Sequence, residues 1–331
     1  MRKKWIRGGI FLCLVLLLLN NLNRILCVKS PHGVDQTRYL YVQPKNKIDV
    51  LFLGSSHVHC NVNTQLLWDE YGMAAYLMTG AEQPLWNSYY NLKEALKTQK
   101  PKLVVLDMFC PSRFYDDFQP GWADENLDGM RISLNKLEAV YTSVQEEQSH
   151  FFLGFTEYHS RYDQLTTEDF QNFVWNRKTQ ERWKGYTPLN RHAELTEADM
   201  SHVTTSQEMT EKSKEYFEKI VELTKKEGIA LALISGPYLL EERDQEVYNS
   251  IGQLAEKDGL LFWNTNTPAH YREMGLDFST DYADHAHLNE AGGAKYTAYL
   301  GKWLSQNYSF PDRRGQKGYE SWENQLMKSG E

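Results

Sequence analysis

Apolar residues in this chain gather into short unbroken runs separated by longer amphipathic stretches, and their alternation lays out a parallel sheet. The run IDVLFLG, ending at Gly54, is apolar throughout and stops at glycine, the pattern of a strand covered on both faces. Val62, Leu66 and Leu67 have helical spacing and predict a helix over 62–72, closed by Gly72. A second strand follows at Ala74–Met78, halted at Gly80. Over 84–98, Leu85, Tyr89, Leu92 and Leu96 share one helical face, and Leu103–Asp107 (LVVLD) is the third strand. A β-α-β-α-β order with short links predicts an α/β fold: a doubly wound, mostly parallel sheet with right-handed crossovers and helices on both faces, in three flavodoxin-like layers. The alternation resumes near 205, with a charged amphipathic helix over 208–228, a strand at Ile229–Ser235, a helix over 245–258, a strand at Leu260–Trp263 and a closing helix over 291–306.

Between 111 and 205 the periodicity fails. The stretch is aromatic and polar, with Trp122, Phe151, Phe152, Tyr158, Tyr162, Trp175, Trp183 and Tyr186. A long insertion between strands of an open sheet is expected over the carboxyl edge, as a cap, where such sheets hold ligands. The N-terminus has another character. Arg2, Lys3, Lys4 and Arg7 precede an apolar run, Ile10–Leu19, which Asn20, Asn21, Asn23 and Arg24 interrupt before Ile25–Val28 resume it. No small-residue cleavage site follows, and Ile25 and Leu26 before Cys27 are too large for a lipoprotein signal. The expectation is an uncleaved signal-anchor helix over 1–28 with its basic end in the cytoplasm. A stalk over 29–46, the α/β domain over 47–305 with 111–205 as its cap, and a loose polar tail over 306–331 then lie outside the cell.

Composition narrows the function classes. Net charge is −8, and no basic cluster occurs beyond the first residues, which argues against a nucleic-acid partner. Aromatics reach 13%, a richness that serves either a glycan-binding groove or the core. Cys60 and Cys110, both in the exported part, are expected as separate buried thiols.

Two places carry chemistry. Ser55-Ser56-His57 follows the first strand directly, at the carboxyl edge, where a hydroxyl opening a helix gains backbone N–H groups directed at a substrate. Before the last helix stands Asp284-His285-Ala286-His287-Leu288-Asn289-Glu290-Ala291-Gly292. Three positions apart in a tight turn, Asp284 can hold one nitrogen of the His287 imidazole and leave the other free as a base.

Ser56, Asp284 and His287, in that order and at those ends, resemble the SGNH/GDSL hydrolase superfamily. There a nucleophile follows the first strand in a G-D-S block, and a D-x-x-H block, often continued as H-P-N-x-x-G, closes the domain. His287–Gly292, HLNEAG, matches that continuation. The resemblance covers 47–110 and 229–305 and implies a triad of Ser56, His287 and Asp284, an oxyanion hole built from the N–H groups of Ser56 and Gly80, and no cofactor or metal. Two departures stand out. Ser55 occupies the Asp position of G-D-S, and Asp107-Met108-Phe109-Cys110 replaces the G-x-N-D block, so the usual Asn donor is unassigned. The Gly-Ser-Ser block with an N-terminal anchor also resembles membrane-anchored surface-polymer acyl-transfer proteins, such as the D-alanyl transfer proteins of teichoic acid machinery. That resemblance implies an acylated polysaccharide or wall polymer as substrate and a membrane-bound O-acyltransferase as partner.

The expected activity is therefore an acyl esterase or O-acyltransferase, with a catalytically inactive, polymer-binding SGNH-like domain as the alternative. Rival residues are Ser55 as nucleophile, and Asp281 with His285 as the acid–base pair. The H-x-H pairs His57/His59 and His285/His287 are metal candidates on extended chain, since each would face one side. His159, Ser160, Arg161, Tyr162 and Arg113 are more remote candidates for an anionic substrate.

Overall fold

A computed structural model describes residues 2–26, 32–152, 158–171 and 183–323. Two helices come first, α1 (Arg2–Leu26) and α2 (Val34–Leu40). Then follow β1 (Val50–Gly54), α3 (Ser56–His59), α4 (Thr64–Tyr71), β2 (Ala75–Thr79), α5 (Leu85–Ala95) and β3 (Leu103–Asp107). The insertion contributes α6 (Phe109–Arg113), α7 (Ala123–Leu127), α8 (Leu134–Ser143) and a short helix at Thr167–Gln171. After it come the helix Glu211–Glu227, β4 (Ala230–Ser235), the helix Glu242–Asp258, β5 (Leu261–Asn264), the helix Pro268–Met274, the closing helix Glu290–Asn307 and a last turn at Glu320–Glu323.

The five strands form one sheet in the order β2-β1-β3-β4-β5, every neighbouring pair parallel. This is the doubly wound order expected. The chain leaves β1 toward one side and returns on the other, so the switch point lies between the carboxyl ends of β1 and β3, where open sheets hold their ligands. Strand residues alternate between two cores. Leu51, Leu53, Val104, Leu106 and Leu233 pack beneath α5 and the helices Glu211–Glu227 and Glu242–Asp258. Val50, Phe52, Val105, Ala232 and Ile234 pack with Leu67 of α4 and Leu300 and Leu304 of the closing helix.

Three segments depart from expectation. The span 29–46 is no free stalk where it is described: six of the seven residues of α2 are buried. Gln36 explains why. Its side-chain oxygen accepts from the N–H and hydroxyl of Thr79, and its amide donates to the Gly185 carbonyl, so the segment is bolted to the end of β2. The tail is also built in as far as 323. Trp322 is fully buried and donates to the Ala75 carbonyl on the edge strand β2, and Arg313 grips Asp49 with two nitrogens. Finally, α8 lies inside the aperiodic insertion. Its inward face carries Asn135, Lys136, Ala139, Val140 and Ser143, while Leu134 and Tyr141 face out, so the apolar pattern that reveals a core helix is inverted. Polar bonds seat it on α5: Asn135 donates to the Tyr90 carbonyl and to Glu94, and Ser143 to Asn87. Of the insertion's aromatics, Phe151, Tyr158 and Tyr186 are core residues and Trp122 and Tyr162 are exposed. Trp175, Cys27, residues 29–31 and residues 324–331 lie outside the described residues.

The stretch Lys3–Asn23 of α1 is long and apolar enough to cross a membrane, and none of it is buried by the rest of the chain.

Candidate active site

Gly54 ends β1 with φ +153°, and a Cβ there would lie 2.6 Å from Asp107 Cβ and 2.9 Å from Val58. Only glycine lets the chain turn this tightly against β3. The turn delivers two serines to different duties. Ser55 is fully buried: its hydroxyl accepts from the His57 N–H, capping α3, and donates to Asp107 Oδ2 at 3.4 Å. Ser56, the first residue of α3, is half-buried.

The loop before the closing helix is held as tightly. Asn289 caps that helix by accepting from the Gly292 N–H at 3.1 Å, and its amide donates to the Thr280 carbonyl. A Cβ on Gly292 would lie 2.2 Å from the Asp281 carbonyl oxygen. The Asn and Gly of HLNEAG are thus a helix cap and a close backbone approach. Just before them the chain folds back, with Tyr282 bridged to Leu288 and the Ala283 N–H donating to the His287 carbonyl.

These two turns meet. His287 Nε2 lies 2.8 Å from Ser56 Oγ, and His287 Nδ1 lies 2.8 Å from Asp284 Oδ1. The same carboxylate oxygen accepts from the N–H groups of Ala286 and His287, at 2.9 and 3.0 Å. Its other oxygen pairs with the Arg191 guanidinium. Burial alone would raise the Asp284 pKa. The bond and charge of His287, the Ala286 N–H and Arg191 outweigh it and hold the carboxyl well below the usual carboxylate range. An ionised carboxylate only accepts, so Nδ1 carries the hydrogen and Nε2 is left to accept from the Ser56 hydroxyl.

Gly54 is in register with Thr79, so Gly80 leaves the sheet beside the Ser55–Ser56 turn. Its N–H points at the Gly54 carbonyl across 3.4 Å, long for a hydrogen bond. Asp107 stands where the resemblance expects an Asn-bearing block. Besides Ser55 it faces His57 Nδ1 at 3.3 Å, both side chains buried.

The rival residues are otherwise engaged. Asp281 is buried, pairs with Lys295 at 2.7 Å and accepts from the Asp277 N–H, and His285 is exposed. His57 and His59 do not face one side, because α3 is helical there and residues two apart diverge. His57 stacks on Phe109, whereas His59 bonds Thr79 and stacks on His32 at 4.3 Å. Burial, and then the neighbouring His32 and His287, push the His59 pKa well down. Among the described residues no three His, Cys, Asp or Glu side chains converge as a metal site needs. Arg113 pairs with Glu241 and Asp244, and Arg161 with Asp169 and the Leu26 carbonyl. Cys60 and Cys110 are separate buried thiols, and burial pushes Cys60 up to about 12.

Among the described residues, Arg191 joins this site with no signal in the sequence pattern. It lies in the aperiodic insertion, 93 positions before the carboxylate it pairs with. The strip that carries it runs past the site, with the Thr187 N–H donating to the His59 carbonyl and the Glu290 N–H donating to that of Leu189.

No family model and no curated protein matches the chain. Among solved structures, the crystal structure of a "putative acylhydrolase" from Bacteroides fragilis NCTC 9343 aligns over 85% of this chain and 99% of its own, at 12% identity and a TM-score of 0.43. The functional reading therefore rests on the geometry of Ser56, His287 and Asp284.

Proposed function

We propose that this chain is a serine-dependent acyl-ester enzyme, an esterase or O-acyltransferase of SGNH type, acting on acyl esters of a cell-surface or wall polysaccharide. The observation that carries it is the unbroken chain of two 2.8 Å contacts from Asp284 through His287 to Ser56. His287 Nε2 takes the proton of the Ser56 hydroxyl as Oγ attacks the ester carbonyl. On this reading the Ser56 N–H meets the oxyanion, joined by the Gly80 N–H once it leaves the Gly54 carbonyl, which it meets across a long 3.4 Å. Asp284 holds the imidazole in the right tautomer and steadies its positive charge. The imidazolium returns the proton to the leaving alkoxide, which leaves acyl-Ser56. Water or a sugar hydroxyl, deprotonated by His287 in turn, then takes the acyl group and frees Ser56.

With α1 as a single crossing and the domain exported, this chemistry works at the outer face of the cell membrane. A membrane-bound O-acyltransferase is the partner that would supply acyl groups to such a site. Aryl acetate hydrolysis by the purified chain tests the reading, with loss in Ser56→Ala and retention in Ser55→Ala.

A second reading is an inactive domain that binds polymer. It draws on the stretch Asp107–Cys110, which stands in place of the Asn-bearing block, puts Phe109 at the position of the Asn donor, and commits Asp107 to Ser55 and His57. Losing one oxyanion donor costs about 2.7–4 kcal/mol of transition-state stabilisation. On this reading the wild type hydrolyses no aryl ester, and Ser56→Ala binds polymer as wild type does.

A further inference from the structure

Away from the triad, the outer end of the anchor helix meets the domain at a charged cleft of about 430 Å³. Asn20 and Asn23 of α1 line one side, and Arg38, Asp128, Arg131 and Lys136 line the other. Three cations and one carboxylate line the cleft, and with Asp35 beside Arg38 the balance is three to two, which leaves it positive. Each charge is held in place. Lys136 is buried, its ammonium 3.9 Å from Asp128 Oδ1, and Asp128 Oδ2 accepts from the Tyr158 hydroxyl at 2.6 Å. Arg38 lies 3.8 Å from Asp35, and the Arg131 guanidinium covers the Tyr41 ring at 4.1 Å. On the α1 side, Asn23 Oδ1 is buried with no hydrogen-bond partner among the described residues.

The level of the cleft matters as much as its charge. The stretch of α1 long and apolar enough to cross a membrane, Lys3–Asn23, closes on Asn20, Asn21 and Asn23, so a bilayer spanned by α1 places its headgroups here. Beside the cleft, Ile132 and Leu134 are 74% and 77% exposed, and Leu137 and Tyr141 continue the same outer face of α8. An apolar helix face next to cations, at the depth of headgroups, is the pattern of an interfacial contact.

We propose that this cleft binds the phosphodiester headgroup of an anionic phospholipid in the outer leaflet, with the outer face of α8 resting in the interface beside it. The cations meet the phosphate oxygens. Asn23 Oδ1 and Asp128 accept from headgroup hydroxyls, which selects a glycerol head over choline. The bound lipid fixes the tilt of the domain on its anchor, and with it the direction in which Ser56 faces. The inference rests on α1 spanning the membrane with the domain outside, and not on the ester chemistry.

The test uses the full chain reconstituted in nanodiscs of phosphatidylcholine, with and without phosphatidylglycerol, followed by native mass spectrometry of the lipid it retains. Phosphatidylglycerol is expected to be retained in preference to phosphatidylcholine. In Arg131→Glu, a change at an exposed position whose folding is checked by circular dichroism, that retention falls about tenfold on charge reversal at one basic contact. Equal retention of the two lipids, or retention unmoved by Arg131→Glu, would overturn the proposal. So would displacement of phosphatidylglycerol by an equal concentration of free glycerol phosphate, which points to a soluble ligand instead. Because the readout is bound lipid, either outcome leaves the esterase reading where it stands.

Discussion

The Leu288 N–H donates to Asn61 Oδ1 at 2.9 Å, a buried bond between residues 227 positions apart. It ties the loop of His287 to the end of α3, whose first residue is Ser56. The Asn61 carbonyl accepts from the Thr297 hydroxyl in turn, so α3 and the closing helix are fastened together. Asn61→Ala strands the Leu288 N–H away from water and is expected to cost about 1–3 kcal/mol of stability. Turnover should suffer more than apparent affinity, with kcat falling and KM nearly constant, because the change loosens the distance between base and nucleophile. Asn61→Asp keeps an acceptor and should recover most of kcat. Steady-state kinetics on an aryl ester, alongside urea unfolding, separate the two effects.

Asp284→Asn tests the electrostatics of the pair. The loss of the proper tautomer is expected to lower kcat by roughly 10⁴, on the scale known for serine hydrolases. The stability effect has a definite sign. A carboxyl whose folded-state pKa is lowered stabilises the fold in full above its unfolded value of about 3.9, and that contribution fades as pH drops through the folded value. Urea unfolding should therefore show the wild type more stable than Asp284→Asn at neutral pH, with the gap closing in strong acid.

Asp107 is expected to act on the fold ahead of the chemistry. Asp107→Ala leaves the buried His57 ring and Ser55 hydroxyl short of a partner, at about 1–3 kcal/mol for each unsatisfied group. A drop in Tm of several degrees, measured by calorimetry, checks this.

Trp322 is the sharpest test of the C-terminal segment. A disordered tail would tolerate its loss. With the indole fully buried and bonded to Ala75, Trp322→Ala is expected to cost about 3–5 kcal/mol, read from denaturant unfolding.

Strands were legible because burial on both faces demands unbroken apolar runs, and all five occur within two or three residues of their expected places. The loop 281–292 was legible for a related reason: its Asn and Gly meet local backbone needs that permit few substitutes. What escaped was written in long-range polar contacts. Gln36 ties α2 to β2 with one side-chain amide, Asn135 and Ser143 seat α8 through bonds instead of an apolar stripe, and Trp322 with Tyr319 docks a segment rich in polar residues. Arg191 belongs to the same class. An ion pair across 93 positions leaves no periodicity, and nothing near Arg191 in sequence announces its partner.

The central claim is that Ser56 carries the acyl group. Rapid quenching of the enzyme with an aryl acetate, followed by peptide mass spectrometry, reads this directly. The account predicts one added acetyl group on the peptide containing Ser56, absent in Ser56→Ala and strongly reduced in His287→Ala. An acetyl group on Ser55 or elsewhere, or turnover that survives Ser56→Ala, would contradict it.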